Sequence, residues 1–79
     1  MRAKVFVQLR AGVLDTQGKA VATALIDLGF GEVLSARVGK LIELELEGSD
    51  RAAAEDRVKA MCEHLLANAV IETYLIEIE

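Results

Sequence analysis

From Ala3 to Leu9 the apolar residues Ala3, Val5, Val7 and Leu9 alternate with Lys4 and Gln8, the period of a half-buried strand. Phe6 breaks the alternation on the second face, which is expected to be covered by another subunit. After Arg10-Ala11-Gly12, Asp15 is placed to cap a helix whose apolar stripe runs Val21, Ala24, Leu25 and Leu28, and Gly29 closes it in the left-handed conformation. Val33 to Val38 and Leu41 to Glu47 read as two strands joined by a tight turn at Gly39-Lys40, an antiparallel hairpin. In the second of these Ile42, Leu44 and Leu46 alternate with Glu43, Glu45 and Glu47, giving one dry face and one acidic face. Gly48-Ser49-Asp50 supplies a turn and an N-cap for a helix carrying Ala54, Val58, Met61, Cys62, Leu65 and Leu66 on one face, with Asn68 as a left-handed stop. Val70 to Glu79, with Tyr74, Ile76 and Ile78 alternating against Leu75, Glu77 and Glu79, is the last strand.

The order is βαββαβ, an α+β chain. Right-handed crossovers turn two such βαβ halves into a ferredoxin-like, four-stranded antiparallel sheet with two helices on one face. No linker or low-complexity stretch interrupts it, so residues 1–79 are expected to form a single domain.

Composition changes this picture in one respect. A chain of 79 residues buries only about 60% of its unfolded surface, and its one cysteine, Cys62, cannot form an internal bridge. Yet 53% of the residues are hydrophobic, more than a lone domain of this size easily hides. Self-association, as a homodimer at least, is the expected remedy, and pairing of dimers into a tetramer is left open. The net charge of −4 repels phosphate backbones, so nucleic acid is not an expected partner. Met1 leads into too short an apolar run for a signal peptide, and no segment approaches the roughly 18 apolar residues that cross a bilayer. A cytoplasmic location is expected.

Candidate chemistry is sparse. His64 has no nucleophile or carboxylate fixed beside it by a recognised motif, and Cys62 falls in the apolar stripe, where a thiol behaves as a small hydrophobe. Glu43, Glu45 and Glu47 read as the wet face of a strand rather than a cation site. The glycine-containing junction from Gly12 to Lys19 lacks the spacing of a phosphate loop, and Asp15 at its cap competes with any anion. The same junction carries the bulky pair Val13-Leu14, either packed over the edge of the helix or presented as a docking patch.

Four stretches together resemble one family: Gly12-Val13-Leu14-Asp15-Thr16-Gln17-Gly18-Lys19-Ala20, Leu28-Gly29-Phe30, Arg37-Val38-Gly39-Lys40, and Met61 through Glu72. In order, spacing and overall length they are similar to PurS, the small subunit of phosphoribosylformylglycinamidine synthase in organisms that build this enzyme from separate chains. Thr16 and Ala69 depart from the family at positions where many members carry proline, at some cost in rigidity.

The resemblance implies a dimeric scaffold without catalytic residues of its own, joining a synthetase subunit, PurL, to a glutaminase subunit, PurQ. The complex converts formylglycinamide ribonucleotide, ATP and glutamine to the formylglycinamidine, with ADP, phosphate and glutamate released. It uses ATP and magnesium, none of it held by this chain. Carried onto this sequence, the resemblance offers Leu14, Asp15, Gln17 and Gly18 of the first motif and Arg37, Gly39 and Lys40 of the second as partner-contacting residues. Each has a structural alternative: Asp15 as a cap, Gly18 for close packing, Gly39 as a turn. The rival function is an ACT-type module that senses a small molecule between paired domains, which Gly12 and Gly18 would permit.

Overall fold

A computed structural model describes every residue from Met1 to Glu79. Strand β1 (Arg2–Leu9) leads to helix α1 (Thr16–Asp27), strand β2 (Lys40–Glu45), helix α2 (Arg51–Met61), a π-helical turn (Cys62–Leu66) and strand β3 (Glu72–Ile78). The sheet is antiparallel in the order β2-β1-β3. No helix is long and apolar enough to cross a membrane.

The alternation in the sequence sets the register. Val5 lies opposite both Ile42 and Ile76, so one face of the sheet is apolar across all three strands. That face packs on α2 and the π-helical turn, where Ala54, Val58 and Cys62 meet Ala3, Val5, Val7 and Ile78 in one core. Asp50 caps α2 by accepting from the Ala53 amide at 3.2 Å. The other face is open: Phe6, 38% exposed, lies in register with Leu41 and Leu75.

Four expectations need correction. Val33 to Val38 is not a strand of this sheet, so there are three strands and no hairpin. The tight turn expected at Gly39-Lys40 requires a positive φ, and only Gly12, Gly29 and Gly48 have one. The chain instead runs extended from residue 33 into β2, and the backbone groups of residues 34–37 form no hydrogen bond.

Helix α1 does begin at Asp15, but it does not share the sheet face with α2. Most of its stripe stays in solvent, with Leu28 74% exposed, Leu25 half-buried and Gly18 the helix's only buried residue. Leu65 leaves the buried face of the second helical segment. The Ala67 amide reaches back to the Cys62 carbonyl at 3.1 Å, and this wider turn keeps Leu66 near Cys62 while rotating Leu65 out to 84% exposure. Asn68, finally, is not left-handed, since no residue other than glycine has a positive φ. Its side-chain oxygen accepts from the Val70 amide at 3.0 Å, an Asx turn that ends the helix by a different route.

Candidate functional site

The two motifs that carry the candidate partner residues lie at the start of α1 and at the start of β2 in the chain, and one carboxylate joins them. Asp15 Oδ1 accepts from the Gly18 amide at 2.7 Å, the helix cap, while Oδ2 accepts from the Val38 amide at 2.8 Å. These amide hydrogen bonds, from Gly18 first and then Val38, hold the Asp15 carboxyl below the usual carboxylate range, with Arg37 adding to the effect. The carboxylate is therefore committed to the chain's own backbone.

Gly18 allows this approach. A Cβ at Gly18 would collide with the Ala36 carbonyl oxygen and stand 2.7 Å from Asp15 Oδ2. Gly39 is equally constrained on the far side, where a Cβ would sit 2.6 Å from the Val7 carbonyl oxygen. Both glycines serve close packing of backbone on backbone.

Arginines fasten the base of the same region. The Arg37 guanidinium donates to the Leu9 carbonyl at 2.6 Å and to the Arg10 carbonyl at 3.5 Å. Arg10 donates to the Ala69 carbonyl through Nε at 3.1 Å and Nη2 at 2.8 Å, tying the end of β1 to the segment before β3. Nothing in the sequence singled out Arg10, because its partner is a main-chain oxygen 59 positions away.

Between these ties lies a cleft of about 230 Å³ lined by Val7, Leu9, Leu14, Asp15, Gln17, Val38, Gly39, Lys40 and Glu72, among others. Leu14, Asp15, Gln17, Gly39 and Lys40 thus share one surface feature, with Gly18 beneath it and Arg37 beside it. Leu14 stands on the rim at 73% exposure. Its neighbour Val13 is half-buried, and Leu14 also borders the α1 side chains Ala20 and Ala24. A cleft of this size lies below the roughly 300–1,000 Å³ typical of small-molecule sites, and its rim joins one bulky aliphatic to Lys40 and Gln17.

Neither Cys62 nor His64 lines the cleft. Cys62 is fully buried, and burial, with Glu63 nearby, pushes its thiol up, away from a reactive thiolate. His64 is exposed on the π-helical turn.

Comparison with known proteins gives a consistent result. The family model described as PurS: Phosphoribosylformylglycinamidine (FGAM) synthase matches residues 2–79. The phosphoribosylformylglycinamidine synthase subunit PurS of Bacillus subtilis is 50% identical over 78 residues, 99% of this chain and 92% of the relative. The crystal structure of Methanocaldococcus jannaschii PurS, a subunit of formylglycinamide ribonucleotide amidotransferase, is similar with a TM-score of 0.91 and 36% identity, covering 99% of this chain and 94% of that one. A chain in the structure of PurLQS from Thermotoga maritima is similar with a TM-score of 0.88 and 34% identity, covering 96% of this chain and 93% of that one.

Proposed function

The chain belongs to the PurS family of small phosphoribosylformylglycinamidine synthase subunits, and from that premise we propose that it is the non-catalytic scaffold of that complex. In this reading it joins a PurL-type synthetase to a PurQ-type glutaminase. The observation that carries the proposal is similarity along nearly the whole chain to a subunit seen within a PurLQS structure. The reaction is amidination of formylglycinamide ribonucleotide by glutamine-derived ammonia, driven by ATP with magnesium at the synthetase, in the cytoplasm.

The geometry supports a scaffold. Asp15, which lines the cleft, and Arg37, beside it, spend their hydrogen bonds on main chain and so shape a surface rather than a reaction centre. Leu14, Gln17, Gly39 and Lys40 are then the direct contacts to a partner, with Asp15, Gly18 and Arg37 holding the backbone that presents them. The chain works as a homo-oligomer, in which the ferredoxin-like sheet gains its fourth strand and its second covering helix. Neither the fold nor the comparisons favour the small-molecule-sensing alternative.

The test is glutamine-dependent amidination of formylglycinamide ribonucleotide by purified PurL and PurQ subunits of the same source, with and without this chain. Dependence on the chain is expected, with ammonia-dependent activity of the synthetase much less affected. Full glutamine-dependent activity in its absence would remove the scaffold reading.

A further inference from the structure

The Arg10 guanidinium is tied down but not used up. A guanidinium carries five N–H donors in a planar fork. In Arg10 the edge made by Nε and Nη2 is spent on the Ala69 carbonyl, at 3.1 and 2.8 Å. The outer edge, one N–H of Nη1 beside one of Nη2, is left free to grip a carboxylate through two parallel bonds. Because the Ala69 carbonyl already fixes the plane of the group, little rotamer freedom is lost when an anion binds there.

The surroundings call for negative charge. A shallow cleft of about 490 Å³ opens at Arg10, lined also by Gln8, Leu9, Ala11, Arg37 and Thr73. None of these residues is acidic, although the chain as a whole carries a net charge of −4. The ion pairs of the molecule are Arg2–Glu45 and Lys4–Glu79, so neither arginine of the cleft has a carboxylate partner. Asp15, which feels the Arg37 charge, turns its oxygens to the Gly18 and Val38 amides, and Glu72, next to Thr73, accepts from the Asn68 amide. Arg37 spends Nη2 on the Leu9 and Arg10 carbonyls and brings a second positive charge to the cleft, where like charges repel until an anion enters. Gln8 and Thr73, cross-strand partners of β1 and β3, complete the polar wall.

We propose that this cleft receives an aspartate or glutamate side chain of a partner subunit, gripped by the outer edge of Arg10 in the field of Arg37. Arg37 acts here by position and charge, and Arg10 makes the contact. The cleft shares Gln8 and Leu9 with the smaller one at Leu14 and Lys40, so a single partner surface covers both. An open cleft with exposed arginines encloses too little of a free phosphate or nucleotide to shield it from solvent and salt. A docked protein surface excludes water around the same charges and strengthens their attraction. The inference rests on the scaffold reading and adds to it the sign and chemistry of the group that the partner brings.

The test changes the charge of the cleft without touching either arginine. Gln8 is exposed on the cleft wall, and Gln8→Glu and Gln8→Lys are compared with wild type in glutamine-dependent amidination by purified PurL and PurQ subunits. Gln8→Glu occupies Arg10 from within the chain and should raise the concentration needed for half-maximal activity about tenfold, with the saturating rate unchanged. Gln8→Lys should lower that concentration, and the gap between the two variants should narrow as salt rises. Shifts of the same sign in both variants, or none in either, would overturn the proposal. So would an equal loss of self-association by Gln8→Glu in sedimentation, which would make a second copy the occupant. The Arg10 Nε–H resonance of the chain alone, titrated with inorganic phosphate and with ATP, should show no saturable shift below about 1 mM, a Kd range that an open site does not reach; saturation by either would make the cleft a small-molecule site instead. If wild type is required and the two variants behave alike, this proposal alone falls; if wild type is dispensable, the scaffold reading falls and takes the proposal with it.

Discussion

Asp15 accepts a hydrogen bond from the amide of Val38, 23 residues further along, at 2.8 Å, while its other oxygen caps α1 through Gly18. The two bonds make one side chain responsible for both the start of the helix and the path of the segment that enters β2. Asp15→Asn keeps one acceptor oxygen and should lower the melting temperature less than Asp15→Ala, which loses both bonds. The folded carboxyl titrates below its ordinary value of 3.8. Its contribution is therefore complete above that pH and is lost as pH falls through the lower folded value. The melting-temperature difference between wild type and Asp15→Ala should be constant near neutrality and shrink on acidification below about pH 4; a difference independent of pH down to 2 would contradict it.

Gly18 should tolerate no side chain. Since a Cβ would meet the Ala36 carbonyl and Asp15 Oδ2, Gly18→Ala must displace one of them, although alanine is the better helix former in isolation. The expected outcome is a loss of about 1–3 kcal/mol in urea unfolding, the reverse of the ordinary helix preference. Gly31→Ala has nothing within 4 Å of its Cβ and should be close to neutral in the same measurement.

The sole tyrosine gives a spectroscopic handle. Tyr74 donates to Glu63 Oε1 at 2.7 Å, a bond that pushes its phenol up to about 12. Because the folded value lies above the ordinary 10.0, the associated stability is present below pH 10 and is lost as pH rises toward 12. Absorbance titration should show little tyrosinate at pH 11 in the folded protein. Glu63→Gln should return the midpoint toward 10, and an unchanged midpoint in that variant would show that Glu63 is not the cause.

Most of the fold was legible because its strands and α2 carry strong local patterns. Ala3, Val5 and Val7 announce a half-buried strand, and Ala54, Val58 and Cys62 announce a helix face, and all six are buried in one core. The caps Asp15 and Asp50 were legible for the same reason, since a capping carboxylate acts on the next turn of chain. What failed was everything that depends on distant partners. Val33 to Val38 has strand composition, but a strand exists only beside a neighbour, and within one chain none is supplied. Leu65 obeys the period of an α-helix and was displaced by a π-turn that the period does not encode. In the candidate site, the motifs pointed to the residues, while the bonds from Asp15 to Val38 and from Arg10 to Ala69 join positions that no local pattern relates.

Burial separates two kinds of apolar residue in this chain. Val58 is fully buried against the sheet, so Val58→Ala should cost about 2 kcal/mol at every protein concentration. Leu28 is 74% exposed within one chain, so Leu28→Ala should matter only where copies associate. Denaturation of the Leu28 variant at high and low protein concentration is the check. Its destabilisation should be largest when wild type is associated and vanish when wild type is dilute enough to be monomeric. Equal destabilisation at both concentrations would mean that Leu28 packs within its own chain.

Arg37 offers the sharpest distinction between a residue that touches a partner and one that presents the surface a partner touches. Its guanidinium donates at 2.6 Å to the Leu9 carbonyl and so sets the path of the segment entering β2 against the end of β1. Lys40, by contrast, lines the cleft and has no such tie. Arg37→Ala should therefore weaken both self-association and glutamine-dependent amidination, by about three- to tenfold for the loss of one exposed charged hydrogen bond. Lys40→Ala should weaken amidination alone, seen as a higher concentration of this chain needed for half-maximal activity. If Lys40→Ala also lowered self-association by the same factor, the cleft would be part of the contact between copies rather than a surface left free for the synthetase or the glutaminase.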